Sequence, residues 1–549
     1  MSDGYLHGAY GLTQVAGSRV AAKSQNAMVL VGTAPVHTVL GGKESVNKPI
    51  LVHDIAEARR YFGYSENWND YTLCEAMHMF LERKAVGPLV LINVLDPEKH
   101  RMADVGTRML KPVNGRITMI CAESIILDSV QVGGFERDKD YAISYNFQKK
   151  TITITEILPG GLGDDAIEIS YTTVDPSAVT ENDVIGTSDG NGLNTGLYCM
   201  KNVYQITGYI PSFLLAPGFS SIPAVHAAMC ENSRKNNNHW DAWLFVDLPL
   251  VGSDGTALTL DNVHAWRKEN GYTKQNETVC FPMIQGTDGK LYHMSVVRAA
   301  NFAQLLLENE GIPYHTASNT AAPIIANLWF GKDSEKRIYD DELINRKLCR
   351  NGISSAVYMG GRFVIWGAHA ADYGVENKTE ENASETARMM LYYISNDFQK
   401  RRHHDVDKPL SYNDVTSIVA EEQNRLDSLV KMGALAYGDA SLNADEIARS
   451  DMLSGNYVFT FSVIIAPLAK SLTAIVRWGD DGYDTQFPDD EKPDQSDPDV
   501  KPSGKIIFES DENGAVKMLG AEFKVQSDGV VLICGAAFTD QGDGCVLID

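Results

Sequence analysis

A serine between two glycines is the first feature of the sequence that could do chemistry. Gly186-Thr-Ser-Asp-Gly190 matches the G-x-S-x-G nucleophile elbow, in which a strand before the serine and a helix after it hold the hydroxyl in a strained turn. The flanking segments, 181–185 and 191–194, are predicted to be loops, so the pattern argues only weakly for a serine hydrolase. Candidate partners occur in any chain of this length, and here they are His226, His239, His293 and Asp247.

Further segments could bind phosphate or ions, and each has a simpler structural interpretation. Gly161-Leu-Gly163 lies between predicted strands rather than at a helix start, so we interpret it as a hairpin loop. Asp254-Gly-Thr256 and Asp261 lack the spacing of a calcium loop and are interpreted as a turn and a helix N-cap. Arg401-Arg-His-His404 could suggest metal or anion binding, but a solvated helix end is favoured, because basic groups complement the helix dipole there.

The cysteines give no support for a metal centre. No CxxC pair occurs, and most of the thiols are predicted to be free and buried, in a chain made in a reducing cytoplasm. No catalytic, metal or cofactor constellation is therefore predicted. The eight cysteines are Cys74, Cys121, Cys199, Cys230, Cys280, Cys349, Cys534 and Cys545.

Composition excludes several classes of protein. Forty-eight basic and 72 acidic residues give a net charge of −24, which argues against a nucleic-acid-coating role, because affinity for phosphate comes mainly from basic side chains. The sequence has no secretory signal and no run of 18 apolar residues, so we expect neither export nor membrane insertion. The length of 549 residues suggests roughly three to four domains.

The elements that would position these residues follow two patterns. Strand and helix signals alternate over 193–370, which predicts a mostly parallel sheet with helices on both faces, and Met28–Val31 and Leu89–Val94 are further buried-strand candidates. Residues 113–185 carry short strands, such as Ile117–Ile126, and glycine-rich turns, which predicts an inserted β-sandwich. Helices are expected over 55–62, with Asp54 as the N-cap and Gly63 at the end, around 193–204, over about 222–232, and over 385–400 and 413–432.

The stretch from Gly455 to Trp478 organises the rest of the chain. Residues 457–465 alternate with Phe459, Phe461, Val463 and Ile465 on one side, which predicts a strand. Residues 472–478 alternate again and directly precede an acidic segment, so nothing obvious covers the second strand's free edge. Two interpretations stay open, a hairpin that closes its own sheet and an edge that pairs with another chain.

The C-terminal region begins with a polar linker. Residues 480–499 hold nine acidic residues and one lysine, together with three prolines, which predicts a self-repelling, extended segment. Residues 503–549 regain alternating apolar patterns and are interpreted as a small β appendage.

Several stretches together resemble the tail sheath protein of contractile phages and related contractile injection systems. Tyr5–Tyr10 and Val31–Pro35 look like the family's N-terminal region, Leu215–Phe219 with Phe245–Pro249 looks like its central domain, and Gly455–Trp478 is similar to its C-terminal domain. The resemblance covers about residues 1–478, and it rests on the order and spacing of all these stretches together. His369-Ala-Ala-Asp372, which comes shortly after Trp366-Gly367, departs from the family, where Arg-Thr more often follows the Trp-Gly pair.

The resemblance implies an α/β plus β fold whose central α/β domain is subtilisin-like in topology and carries no protease function. An inserted β-sandwich and an α+β C-terminal core domain complete it, whereas the acidic linker and the small β appendage of this chain are not part of the family's common core. The division that follows is an N-terminal arm at 1–26, the N-terminal part of an inner core at 27–112, the β-sandwich at 113–185, the subtilisin-like domain at 186–375, the C-terminal sheath domain at 376–478, the acidic linker at 479–502 and the appendage at 503–549.

The resemblance also implies a mechanical function without an enzyme activity or a cofactor. The chain would polymerise around an inner tube, as a helical homo-oligomer of stacked rings, and contract to drive the tube through a target cell envelope. Its partners would be itself, the inner tail tube protein, and baseplate and tail terminator proteins, with no nucleic acid and no direct membrane insertion. It would be made in the host cytoplasm and reside in a virion tail or a tailocin-like particle.

The N-terminal arm and the strand at 471–478 would each leave their own subunit and add to a neighbour's sheet. The alternative functions are a non-contractile self-assembling shell protein and a subtilisin-like serine hydrolase. The residues predicted to mediate the strand exchange are Tyr5, Tyr10, Leu12, Val15, Leu472, Ala474, Val476 and Trp478.

Overall fold

The computed structural model describes residues 26–331, 339–375, 383–442 and 454–476, together with the backbone of six short strands between 507 and 548. By its internal packing the chain divides into two units, Met1–Leu468 and Ala469–Asp549. The predicted N-terminal arm and the acidic linker lie outside the described residues. No helix in the described ranges is long and apolar enough to cross a bilayer.

The first unit contains strands and helices in alternation, named here in chain order. The strands are β1 Asn26–Gly32, β2 Ile50–Val52, β3 Leu89–Asn93, β4 Gly106–Leu110, β5 Arg116–Met119, β6 Gln131–Val132, β7 Tyr141–Asn146, β8 Thr151–Glu156, β9 Ile167–Tyr171, β10 Ile210–Leu215, β11 Trp243–Asp247, β12 Glu277–Cys280, β13 Met283–Gly286, β14 Leu291–Tyr292, β15 Ile325–Trp329, β16 Ile353–Met359, β17 Arg362–Trp366, β18 Leu435–Leu442 and β19 Phe459–Ile465. The α-helices are α1 Ile55–Phe62, α2 Thr72–Ala76, α3 Glu181–Ile185, α4 Val203–Thr207, α5 Pro223–Ser233, α6 Val263–Glu269, α7 Met294–Glu308, α8 Asp341–Lys347, α9 Glu385–Arg402 and α10 Tyr412–Met432.

An eight-stranded sheet forms the centre of this unit, in the order β17-β16-β12-β11-β10-β1-β3-β2. Its inner strands pair in parallel, and the two edge strands β2 and β17 are antiparallel. Strands β3, β10, β11 and β12 are buried along their whole length, so both faces of the sheet are covered. The predicted mostly parallel sheet is confirmed.

The sheet is larger than the predicted α/β region. Strands β1, β2 and β3, from the segment expected to form the N-terminal part of an inner core, join the strands of 210–366 in the same sheet through the β1–β10 pair. The physical reason is the continuous apolar sequence of β1 and β3, which requires cover on both faces. Helix α1 begins as predicted, since the Asp54 carboxylate accepts a hydrogen bond from the Glu57 amide and Gly63 ends the helix.

The inserted β region consists of two three-stranded sheets, β4-β9-β6 and β5-β8-β7, which enclose their own apolar core. It begins before residue 113, because β4 pairs with β9. The predicted strand over Ile117–Ile126 is shorter than expected. It ends at Met119, because Ile120 is exposed and Cys121 takes a positive φ of 52°, which interrupts an extended chain.

The exit from this β region is a helix rather than a loop. Residues Glu181–Ile185 form α3, where Thr180 and Asp183 make a capping box and Val184 is fully buried. The loop prediction for this segment was therefore wrong, because Val184 and Ile185, the two apolar residues of this polar stretch, pack against the core. The helix predicted around 193–204 is divided between a 3₁₀ segment, Gly196–Asn202, and α4.

The last described part of the first unit packs helices α9 and α10 against a two-stranded antiparallel sheet of β18 and β19. In the second unit, six short antiparallel strands lie within the predicted β appendage and form one pair and one four-stranded sheet. They are β20 Ile507–Ser510, β21 Val516–Leu519, β22 Phe523–Val525, β23 Val531–Ile533, β24 Ala536–Asp540 and β25 Val546–Ile548.

Candidate assembly interface

The sheet of β18 and β19 is held on one face by an apolar cluster. Phe461, Val463 and Ile465 pack with side chains from helices α9 and α10, and the Phe398 ring lies 5.3 Å from that of Phe461. Ser462 and Ile464, which point the other way, are exposed. The predicted alternation along this strand is confirmed, although the strand begins at Phe459 rather than at residue 457.

This sheet has two strands only, so each strand has a single strand partner in the described part of the chain. The register runs from Leu435 opposite Ile465 to Leu442 opposite Phe459. The second edge of β18 is partly occupied, because the Gln423 side chain bonds to the Gly438 carbonyl and to the Ala440 amide. Strand β19 has no second strand partner in the described part of the chain, and such an edge is a template for an added strand.

The segment after β19 does not form the second strand of a hairpin. Residues 466–476 carry no regular structure, and the exposed fractions of Leu472 and Val476 are both 92%. The hairpin interpretation was wrong because β19 takes β18 as its antiparallel partner. Leu472, Ala474 and Val476 have no partner strand in the described part of the chain, so their apolar side chains stay exposed. Trp478 lies outside the described residues.

The other half of the predicted interface cannot be placed. Tyr5, Tyr10, Leu12 and Val15 all belong to the segment 1–25, outside the described residues. Their role in strand exchange stays a prediction.

Helices α9 and α10, which support the two-stranded sheet, are joined by charged side chains. The Arg401 guanidinium donates two hydrogen bonds of 2.6 Å to the Glu422 carboxylate, and Arg402 Nε donates a third of 2.7 Å. Burial opposes the charge of Glu422, but these hydrogen bonds hold its pKa below the usual value. Arg401 also contacts Asp397 at 2.6 Å. The interpretation of Arg401–His404 as a solvated helix end was therefore wrong for its arginines, because an acidic residue of the next helix turns inward to meet them.

The candidate serine nucleophile has no reaction centre around it. Ser188 is exposed in a loop that follows helix α3, whereas an elbow needs a strand before the serine. The histidines proposed as partners are bonded elsewhere. The ring of His226 contacts Glu277 at 2.6 Å, and that of His239 contacts Gln399 at 3.3 Å.

His293 and Asp247 lie in a polar cluster at the carboxyl end of the central sheet. The His293 ring contacts the Glu75 carboxylate at 2.6 Å, and the Ser295 amide donates to Asp247 at 2.9 Å. The Ser295 hydroxyl donates to the same Asp247 carboxylate. Ser295 therefore bonds to Asp247 and His293 bonds to Glu75. In a catalytic triad the serine would bond to the histidine, and the histidine to the acid. Burial raises the pKa of Asp247.

The remaining candidate segments are turns and surface ion pairs. Asp254 accepts hydrogen bonds from the Thr256 amide and hydroxyl, as the turn interpretation predicts. Asp261 is not the N-cap of α6, because Asn262 occupies that position and Asp261 pairs with Lys347 at 2.6 Å. Gly161–Gly163 lies in the connection between β8 and β9, as predicted, but the connection is not a hairpin, because these two strands belong to different sheets.

One cluster could hold a metal ion, although the sequence analysis predicted none. Within the described ranges, His226, Cys230 and Glu277 alone bring three suitable ligand atoms within 4.8 Å of one another. The sequence feature that could have indicated this cluster is a histidine and a cysteine four residues apart on a predicted helix. The third member comes from a strand 47 residues later, and only the fold brings it there. Of the other described cysteines, Cys74, Cys199, Cys280 and Cys349 are buried free thiols and Cys121 is exposed.

Comparison with known proteins bears on the whole chain. No family model matches it. The tail sheath protein of Burkholderia phage BcepMu is 22% identical over 493 residues, a match that covers 86% of this chain and 96% of that protein. This chain is a homologue of that tail sheath protein. The resemblance predicted from the sequence is thereby confirmed.

Solved sheath structures are also similar to this sheath homologue. A sheath complex of an extracellular contractile injection system in its contracted state has a TM-score of 0.48 and 12% identity, over 87% of this chain and 99% of that chain. A sheath tail protein from Desulfitobacterium hafniense has a TM-score of 0.45 and 11% identity, over 84% and 100% of the two chains. The present chain has a mixed α/β fold with several sheets.

Proposed function

We propose that this chain is the structural subunit of a contractile tail sheath, which polymerises around an inner tube and shortens to drive that tube through a target cell envelope. The observation that carries the proposal is the match to a tail sheath protein along nearly the whole length of both chains. A match to one domain would leave the function of the rest open, whereas this one spans the central sheet, the β insertion and the C-terminal region together.

The subunits are joined by exchange of strands. Residues 471–478 of one copy add to a free edge of the sheet formed by β18 and β19 in another, and the N-terminal arm adds to a further copy. The support is that one chain carries both a sheet of only two strands and, after it, an exposed apolar segment. Tyr5, Tyr10, Leu12, Val15, Leu472, Ala474, Val476 and Trp478 are the proposed contact residues.

The energy of such a joint comes from several small terms. Each backbone hydrogen bond contributes about 0.5–1.5 kcal/mol net. Leu472 and Val476, both 92% exposed in the single chain, would each gain about 1.5–3 kcal/mol on full burial. Backbone pairing holds the joint along the added strand, so it can persist while the bodies of the subunits rotate.

The proposed subtilisin-like domain, 186–375, shares the eight-stranded sheet with β1, β2 and β3, and its role is that of a rigid body rather than a catalyst. The exposed position of Ser188 and the separate partners of His226, His239 and His293 support this. In the domain division that we propose, 376–478 is the sheath domain that carries the joint, and 479–549 is an addition to it.

The energy for contraction is stored at assembly. An extended lattice that buries less contact area than the contracted one can be held by kinetic barriers until a trigger releases it, so no nucleotide site is needed. The proposed partners are the inner tube, the baseplate and the tail terminator. The chain is made in the host cytoplasm and functions in a phage tail or a tailocin-like particle.

Deletion of residues 471–478 tests the strand exchange separately from the sheath function. The full chain, expressed with its tube protein, should form tubes in negative stain with two length states, and the deletion variant should remain a folded monomer. Normal tubes from the deletion variant would disprove the strand exchange and leave the sheath function standing. Tubes of a single length with no inner tube would instead indicate a non-contractile shell.

A further inference from the structure

Helix α5 and strand β12 bring an imidazole, a thiol and a carboxylate together beside the central sheet. The His226 Nε2 atom lies 2.6 Å from Glu277 Oε2 and 3.4 Å from Cys230 Sγ. Both neighbours approach the same ring nitrogen. A proton relay would use the two ring nitrogens in opposite directions, so this is not a nucleophile with its base and orienting acid.

The local structure fixes each of the three side chains. His226 and Cys230 are four residues apart in α5, so they lie on one face of the helix, one turn from each other. The His226 ring stacks on Tyr272, with their centroids 3.9 Å apart and the planes 15° from parallel. Glu277 is fully buried, and its second oxygen accepts a hydrogen bond of 2.8 Å from the Lys274 amide.

The three ligand atoms all lie within 4.8 Å of one another, and two of their separations can be compared with those of a tetrahedral zinc site. Zinc takes imidazole nitrogen, thiolate sulfur and carboxylate oxygen at about 2.0–2.3 Å, which places neighbouring ligand atoms roughly 3.3–3.6 Å apart. The nitrogen to sulfur distance of 3.4 Å already fits. The nitrogen to oxygen distance of 2.6 Å is that of a hydrogen bond, and it has to open by about 0.7 Å when the ion replaces the shared proton.

We propose that His226, Cys230 and Glu277 bind a zinc ion, with water as the fourth ligand. Cys230 is half-buried whereas His226 and Glu277 are buried, so we place the water ligand on the side of the thiol. The ion would tie helix α5 to strand β12 and so stabilise the central sheet against shear when the subunit is under load.

The ion has to displace protons to bind. Coordination requires the thiolate, so zinc binding releases the thiol proton and strengthens as the pH rises.

Two measurements on the full-length chain test the site. After expression with zinc and exhaustive dialysis, metal analysis should find one zinc per chain. Cobalt added to the metal-free protein should give the near-ultraviolet charge-transfer band of a cobalt–thiolate bond. A wild-type chain that holds no zinc and shows no such band would overturn the proposal.

Three variants show whether these residues are the ligands. Cys230→Ser should abolish the cobalt band, and Glu277→Gln should weaken zinc binding by more than about 100-fold. Cys121→Ser, which removes the exposed thiol, is the matched control and should bind as the wild type does. A band that survives Cys230→Ser and disappears in Cys121→Ser would identify an adventitious surface site and disprove the proposal. Circular dichroism establishes that each variant is folded, and the wild-type stoichiometry decides the question if Cys230→Ser does not fold.

Discussion

At the scale of single residues, the imidazole of His293 connects pH with stability. Burial disfavours its charge, but the Glu75 carboxylate at 2.6 Å and the nearby Asp247 favour it more strongly, and together they raise the pKa of His293 to about 9. A folded-state pKa above the unfolded value of 6.5 means that folding favours the protonated ring. The stabilisation is therefore fully present below pH 6.5 and is lost as the pH rises through 9.

Replacement of Glu75 by glutamine should remove most of this dependence. A shift of this size corresponds to about 3 kcal/mol at most, so the free energy of unfolding of the wild type should fall by up to that amount between pH 6.5 and pH 9. In Glu75→Gln the fall should be much smaller. Denaturant unfolding at a series of pH values measures it. Glu57→Gln is the control, because its partner His53 is 60% exposed, and its curve should follow the wild type. Equal pH dependence in Glu75→Gln and wild type would contradict the assignment.

Partners of buried charges were the least predictable feature of the sequence. Arg298 and Glu385 are 87 residues apart, yet they form a buried ion pair at 2.7 Å. Removal of one partner from such a pair commonly costs about 3–5 kcal/mol, because the other charge is left buried and unpaired.

The ends of helices, by contrast, could be predicted from neighbouring residues in the sequence. The Asp54 cap and the Gly63 stop of α1 were predicted correctly, because a cap is made by residues three or four positions apart.

At the scale of secondary structure, the segment 472–476 has the sequence of a strand without the structure of one. A period of two in apolar residues shows only that the segment suits a pleated surface with one buried face. It does not say which strand supplies the hydrogen bonds. This pattern predicted β19 correctly but not its partner, because β18 lies between helix α10 and β19 in the chain and is not the next alternating stretch.

Proline in this segment should block assembly and leave the single subunit intact. Thr473→Pro with Ala474→Pro removes two successive amide donors, so at least one donor toward a partner strand is lost whatever the register. Residues 471–476 form no strand in the single chain, so the melting temperature of the monomer should not change. Sedimentation and negative stain should show monomers in place of tubes.

Thr473→Val is the matched control at the same position, because it keeps the amide and favours an extended chain. It should assemble as the wild type does. Tubes from the double proline variant would show that the joint does not depend on backbone pairing through this segment.

At the scale of the whole molecule, the acidic linker and the appendage should be dispensable for assembly. The match to the sheath relative covers 96% of that protein and 86% of this chain, so about 14% of this chain lies outside the match. Residues 480–499 have a net charge of −8 from nine acidic residues and one lysine. Copies of this segment confined between the sheath and its tube would repel one another, so we expect them on the outer surface.

Deletion of 479–549 should therefore leave tubes of normal diameter, whereas deletion of 471–478 from the full chain should not. Cleavage within 480–499 by a glutamate- and aspartate-specific protease should proceed on intact sheaths. Protection of that segment, or loss of tubes on deletion of 479–549, would show that the appendage belongs to the assembled wall.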